Sequence, residues 1–223
     1  MKLKPLSGLT RPLLVFLQIM LVLDVIAIPI GGYNLYEYSH LAPGVDAAQT
    51  VLKSDLAVGI MGICQGLFGL ITGIIFLRWL YRANYNLRRM TTGIVFRCTP
   101  GWAAGWFFVP FANLWKPYEA TQEIWTVAQR GRPVASPVGR WWGLWILSSI
   151  LDRVAAKLAQ AANDANLYQL SAATFMLADM VSVALNLAAL QLVRSVAQGY
   201  SENFSETNLP EEMGLEVGLT PSP

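Results

Sequence analysis

Uncharged, mainly apolar residues run unbroken from Leu56 to Leu77. Two further stretches, Pro12 to Ile30 and Leu170 to Val193, are interrupted once each, by Asp24 and Asp179. At about 1.5 Å per helical residue, each reaches across a hydrocarbon core about 30 Å thick. A fourth stretch opens at Ser136 and Pro137, carries Trp141, Trp142 and Trp145, and continues as ILSSIL. Only eleven uncharged residues separate its Arg140 from Asp152, short for a crossing; extended to Ala162 it is long enough. The pattern predicts an all-α integral membrane protein, a bundle of four transmembrane helices spanning about 12–30, 55–79, 138–162 and 169–193.

The connections refine this picture. Proline is tolerated in a first helical turn, so Pro12 opens the first span; Pro29 and Gly31-Gly32 are expected to end it. Tyr33, Tyr36 and Tyr38 follow and suit an outer interface, where a ring meets lipid and a hydroxyl meets water. After the Pro43-Gly44 turn, Asp46 with Gln49 reads as a capping box, from which a long second helix exits near Arg78-Trp79 and extends through YRANYNLRR along or below the headgroups. From 90 to 137 lies an irregular cytoplasmic segment. Its run Gly101 to Trp115 is too short to cross, is bracketed by Pro100 and Pro110, and holds Trp102, Trp106, Phe107 and Phe108. A helix half-sunk in the interface, or a re-entrant segment, is expected there between helices two and three. Pro117 then opens a short amphipathic helix to about Arg130. Residues 1–198 form the membrane domain. Residues 199–223, acidic and without a basic residue, are expected to be a disordered tail.

Composition agrees with a lipid solvent: 54% of the residues are hydrophobic and 13% charged. The net charge of +2 gains meaning only when divided between the two sides. With four crossings, thirteen basic residues fall on one side and three (Lys53, Arg153, Lys157) outside or within the third helix. By the positive-inside rule both termini are then cytoplasmic, in a bacterial inner membrane. The basic N-terminus resembles a secretory signal, but its apolar run carries Asp24 and no small-residue cleavage site follows.

Gly59, Gly62, Gly66, Gly69 and Gly73 recur at spacings of 3, 4, 3 and 4, which puts all five on one stripe of the second helix. Small residues at such spacing let helices approach closely, inside one chain or across a homo-oligomer seam. Counting inward from the cytoplasmic helix ends places Asp24, Gln65, Asp152, Arg153 and Asp179 at a common level, ~18–21 Å in. Ionisable groups at that depth turn inward and pair, or mark a proton or cation path. Arg153 cannot neutralise three carboxylates. A polar clamp between helices explains the same residues, and Asn186 and Gln191, nearer the cytoplasm, read as clamps of that kind.

Other chemistry is not signalled. Cys64 and Cys98 build no disulfide framework, and the lone His40 has no cysteine beside it, so no metal centre and no cofactor are expected. No phosphate-cradling glycine loop occurs, and no nucleophile and base sit at a recognisable spacing, so an enzyme is not expected. The basic and aromatic run Arg78, Trp79, Tyr81, Arg82, Tyr85, Arg88, Arg89, Phe96 and Arg97 suits anionic lipid headgroups better than nucleic acid.

The stretch FLRWLYRANYNLRR, followed by TPGWAAGWFFVPFANLWKPYEATQEIW and RWWGLW, resembles the bacterial membrane family catalogued as domain of unknown function 4328. Its most specific positions are Tyr81, Arg82, Asn86, Pro100, Trp102, Trp106, Pro110, Asn113, Trp115 and Pro117. The resemblance implies a multi-pass bacterial protein with a structured central segment, and no activity. Two readings follow: a membrane-anchored interaction or assembly subunit acting through the central aromatic and basic segment, or a small proton- or cation-conducting protein using its buried carboxylates. A protein partner or a second copy of the chain fits the first.

Overall fold

In the computed structural model of the chain, residues 6–41, 51–91, 95–130 and 135–207 are described, with side chains to residue 202. Among these every regular element is helical. Helix α1 is Ser7–Ser39, α2 is Leu52–Met90, and α3 is the short Pro100–Gly105. Two 3-10 turns, Trp106–Phe108 and Ala112–Leu114, lead into α4, Lys116–Ala128. Two long helices follow, α5 at Val138–Ala161 and α6 at Ala165–Thr207. Three helices, α1, α2 and α6, are long and apolar enough to cross a membrane. The expected third span, α5, is a 24-residue helix that does not join them, its apolar run being broken by Asp152, Arg153 and Lys157.

Helix α1 packs against α2 and α6, and α6 against α5. The α5–α6 pair runs antiparallel along most of its length. Arg140 donates to the Gln191 side chain near one end, and Ser171 donates to the Ala155 carbonyl at 3.1 Å near the other.

Several boundaries differ from the sequence pattern. Pro29, Gly31 and Gly32 do not end α1, which runs on to Ser39. At Gly31 helix α6 lies alongside: a grafted Cβ would stand in ordinary van der Waals contact with the Met176 Cβ, at 3.6 Å. The tyrosines therefore lie on helix, not loop. Tyr33 and Tyr36 are exposed, whereas Tyr38 is 5% exposed and donates to both Asp55 carboxylate oxygens at 2.9 Å. The Pro43-Gly44 turn and the Asp46 and Gln49 capping box lie outside the described residues. Helix α6 continues to Thr207, past residue 199 where a disordered tail was expected, and the tail beyond Thr207 lies outside the described residues.

The best-packed core is at the Trp79 end of the bundle. Trp79, Leu80, Ala83 and Leu87 of α2 are buried with Ile124 of α4 and Leu192, Val193 and Val196 of α6. The basic extension of α2 is thus a core helix with one charged face. Trp79 donates its Nε1–H to Thr10 Oγ1 at 3.0 Å, and Trp125 donates to Ser195 Oγ at 2.8 Å, so both buried indoles are satisfied. At Gly199 the backbones of α6 and α4 come so close that a Cβ would fall 2.3 Å from the Ala128 carbonyl oxygen.

The central segment is folded into this core. The Thr99 side chain accepts from the Trp102 backbone N–H and caps α3, with Pro100 in its first turn. Glu123 accepts from the backbone N–H groups of Arg97 at 2.6 Å and Cys98 at 3.3 Å, and Arg88 donates to the Cys98 carbonyl at 2.6 Å.

Candidate functional site

Away from the Trp79 core the long helices separate around a groove of about 1000 Å³. Helices α1, α2, α5 and α6 all contribute to it. Because α2 packs chiefly on α1, and α5 on α6, the faces of α2 and α5 look at one another across open space.

All five glycines of the α2 stripe line this groove. A Cβ added at Gly59, Gly62, Gly66 or Gly73 would meet nothing within 4 Å, and one at Gly69 would meet only the Met20 methyl at 3.8 Å. Of the two contacts expected for the stripe, inside one chain or across a homo-oligomer seam, the one inside the chain is not made among the described residues. The helices that surround it stand too far off, and its effect is to keep one wall of the groove free of side chains.

The polar level is assembled from four helix positions. Gln65 Nε2 donates to Asp24 Oδ1 at 3.0 Å and to Asp179 Oδ1 at 2.9 Å, using both amide hydrogens. Asn186 Nδ2 donates to Asp24 Oδ2 at 2.7 Å. Asp24 is 1% exposed, and its two oxygens are held by two different helices. Sequence counting brought Asp24, Gln65 and Asp179 to one level, and the structure joins these three. It placed Asn186 elsewhere, about two turns nearer the Trp79 end, yet the amide reaches back to Asp24.

The other two members part company. Asp152 lines the groove. Arg153, the next residue, lies about 100° further round the helix and lines a separate crevice with Phe108, Pro110, Phe111, Asn113 and Leu114. The expectation that Arg153 joins the carboxylates is therefore corrected: it forms no ion pair with any described residue.

Two ends bound the groove. At one, Tyr38 stacks on Tyr168 with centroids 5.3 Å apart, and Asn34 donates to Asp55 Oδ1 at 2.8 Å and to Ser54 Oγ at 3.1 Å. The sequence pattern does not bring out this second polar cluster, because it ends the first span at Pro29 and Gly31-Gly32 and leaves Tyr38 beyond it. At the other end Phe107 projects from the central segment among Phe76, Trp142 and Trp145, with ring centroids 6.1, 6.1 and 6.4 Å away. Phe76, Phe107, Trp141 and Trp145 all line the groove there.

Among the described residues the groove lining includes four carboxylates, Asp24, Asp55, Asp152 and Asp179, and no lysine, arginine or histidine. Among the described residues no three histidine, cysteine, aspartate or glutamate side chains gather closely enough to hold a metal ion. Outside the long apolar helices, burial raises the Cys98 thiol above its ordinary range, the opposite of an activated nucleophile.

The central-segment positions serve mainly the core and the crevice. Asn86 donates to the Tyr200 hydroxyl at 2.8 Å, and Pro117 is buried in the first turn of α4. Trp102 packs on Trp106 at 4.5 Å, while Tyr81 and Trp115 are half exposed. Pro110 and Asn113 line the Arg153 crevice. Arg82 lies half-buried beside this core on α2.

No curated protein and no solved structure matches the chain. A family model covers residues 43–198, which takes in the glycine stripe, the central segment, α5 and the Asp179 and Asn186 part of α6, and the chain belongs to the family described as domain of unknown function, DUF4328.

Proposed function

We propose that this chain is a multi-pass protein of a bacterial inner membrane that admits a positively charged species, a proton or a small organic cation, to the groove between α2 and α5. One observation carries the reading: among the described residues, four carboxylates and no basic side chain line that groove. A carboxylate withdrawn from water is costly unless a cation or a proton neutralises it, and Gln65 and Asn186 supply hydrogen bonds but no charge. The glycine wall leaves room for a ligand beside Gln65.

Four crossings with both termini cytoplasmic suit this site best. Helix α5 is about 36 Å long at 1.5 Å per residue, and it flanks α6 from Gln191 to Ser171, which supports its passing through the same layer as α6. Basic residues then cluster on the Trp79 side, against anionic headgroups.

The test is flux through liposomes containing the full chain, read with a pH dye and with a fluorescent organic cation. Wild type is expected to dissipate a gradient of one of them, and the double variant Asp24→Asn with Asp179→Asn to do so at the rate of empty liposomes. Equal flux from both proteins ends this reading.

A second reading, a membrane-anchored interaction or assembly subunit, is favoured by the exposed Phe108 and Phe111 of the central segment and by the uncovered glycine wall of α2. A photocrosslinker at position 111 in native membranes would then trap one defined neighbour, a second copy included.

A further inference from the structure

A mid-helix arginine without a partner calls for an anion. Arg153 is exposed, and it makes no hydrogen bond or ion pair with any described residue. Its neighbour Asp152 faces the groove, so the two charges of this dipeptide point to different sides of α5. Lys157, one turn further on, is likewise exposed and without an ion pair among the described residues. Like charges at i and i+4 repel unless something negative lies between them.

The surroundings of Arg153 say what kind of anion. Among the described residues its crevice, about 420 Å³, is walled by the apolar Phe108, Pro110, Phe111 and Leu114, with Asn113 as the other polar residue. Ile150 and Val154 are exposed on the same helix. Phe111 stands at φ 63°, in the left-handed region that a bulky side chain rarely adopts, and its ring is 79% exposed. Trp142 donates to the Leu114 carbonyl at 2.9 Å and fixes this loop against α5. A guanidinium set among apolar walls matches a molecule with one anionic oxygen cluster and an apolar remainder.

We propose that Arg153, assisted by Lys157, holds the phosphate of an anionic glycerophospholipid. The acyl chains then lie along Ile150, Val154 and the rings of Phe108 and Phe111. Arg153 presents paired donors to the phosphate oxygens, and two cations on one face favour a headgroup of net negative charge over a zwitterionic one. The site lies outside the acid-lined groove and stands or falls apart from the reading given to that groove.

Native mass spectrometry of the full chain in mild detergent, titrated with phosphatidylglycerol, phosphatidylcholine or inorganic phosphate, tests the site. Wild type is expected to retain one phosphatidylglycerol in preference to phosphatidylcholine, and excess inorganic phosphate should not displace it. Arg153→Gln is expected to lower retention about tenfold, the usual scale for losing one charged hydrogen-bonding partner, and Arg153→Lys less. Should Arg153→Gln not fold, wild type alone decides: its melting temperature is expected to rise with phosphatidylglycerol and not with phosphatidylcholine. Equal retention by wild type and Arg153→Gln, equal response to the two lipids, or displacement by inorganic phosphate alone overturns the proposal.

Discussion

Asn186 of α6 donates to Asp24 of α1 at 2.7 Å, joining side chains from helices far apart in sequence at a carboxylate that is 1% exposed. The contact removes one of the two unsatisfied oxygens that a buried carboxylate would otherwise present, and Gln65 removes the other. Fold and site are coupled there, because α1 and α6 must be in register for the acid to be tolerated at all.

Replacing Asn186 with alanine therefore strips Asp24 of a donor and leaves Gln65 in place. A loss of about 1–2 kcal/mol is expected, the upper part of the range for interhelical hydrogen bonds in membranes. Thermal or denaturant unfolding in detergent measures it. The pair Asn186→Ala with Asp24→Asn should recover part of the loss, because the buried charge has gone.

Glycines at two places should respond in opposite ways. Gly199→Ala forces a Cβ to within 2.3 Å of the Ala128 carbonyl oxygen, so α6 and α4 must part and the Trp125 to Ser195 hydrogen bond with them. Gly62→Ala meets nothing within 4 Å and should leave stability unchanged or slightly raised, since alanine is the better helix former by about 1 kcal/mol. Melting temperatures of the two variants give the comparison. A large loss at Gly62 would mean that another helix, from a second copy, fills the space beside it.

Phe107 sits at the aromatic end of the groove, in contact with Phe76, Trp142 and Trp145. Phe107→Ala is expected to lengthen the groove toward the Trp79 core and to raise cation flux in liposomes. Its stability cost should fall below the ~3–5 kcal/mol typical of a fully buried ring, as Phe107 is only half-buried.

Much of this was readable from periodicity and residue counting. Asp24, Gln65 and Asp179 lie on unbroken helices, so a rise per residue sufficed to bring them level, and the hydrogen bonds through Gln65 follow. Rotation about a helix is harder to read than height along it. Asp152 and Arg153 share a level but diverge by a quarter turn or more, and only the placement of α6 and the Phe108 to Leu114 loop decides which of them faces the groove. The glycine stripe is open to two readings for a similar reason. Spacing shows which residues share a face, not what stands opposite, and here it is open space. The buried extension of α2 did leave a signal. Trp79, Leu80, Ala83 and Leu87 recur at helical spacing among the arginines, which marks an amphipathic helix with a core face. Pro29 and Gly31 read locally as helix breakers, yet α1 runs through both to Ser39.

The central claim is that the glycine stripe faces a reachable groove whose charge is negative. Introducing Gly62→Cys, with Cys64 and Cys98 replaced by serine, and timing its reaction with cationic, neutral and anionic methanethiosulfonates tests this in one measurement. The expected order is cationic fastest and anionic slowest, with the preference lost when Asp24→Asn and Asp179→Asn are added. A thiol that fails to react with any of the three, or that reacts without regard to charge, contradicts the account.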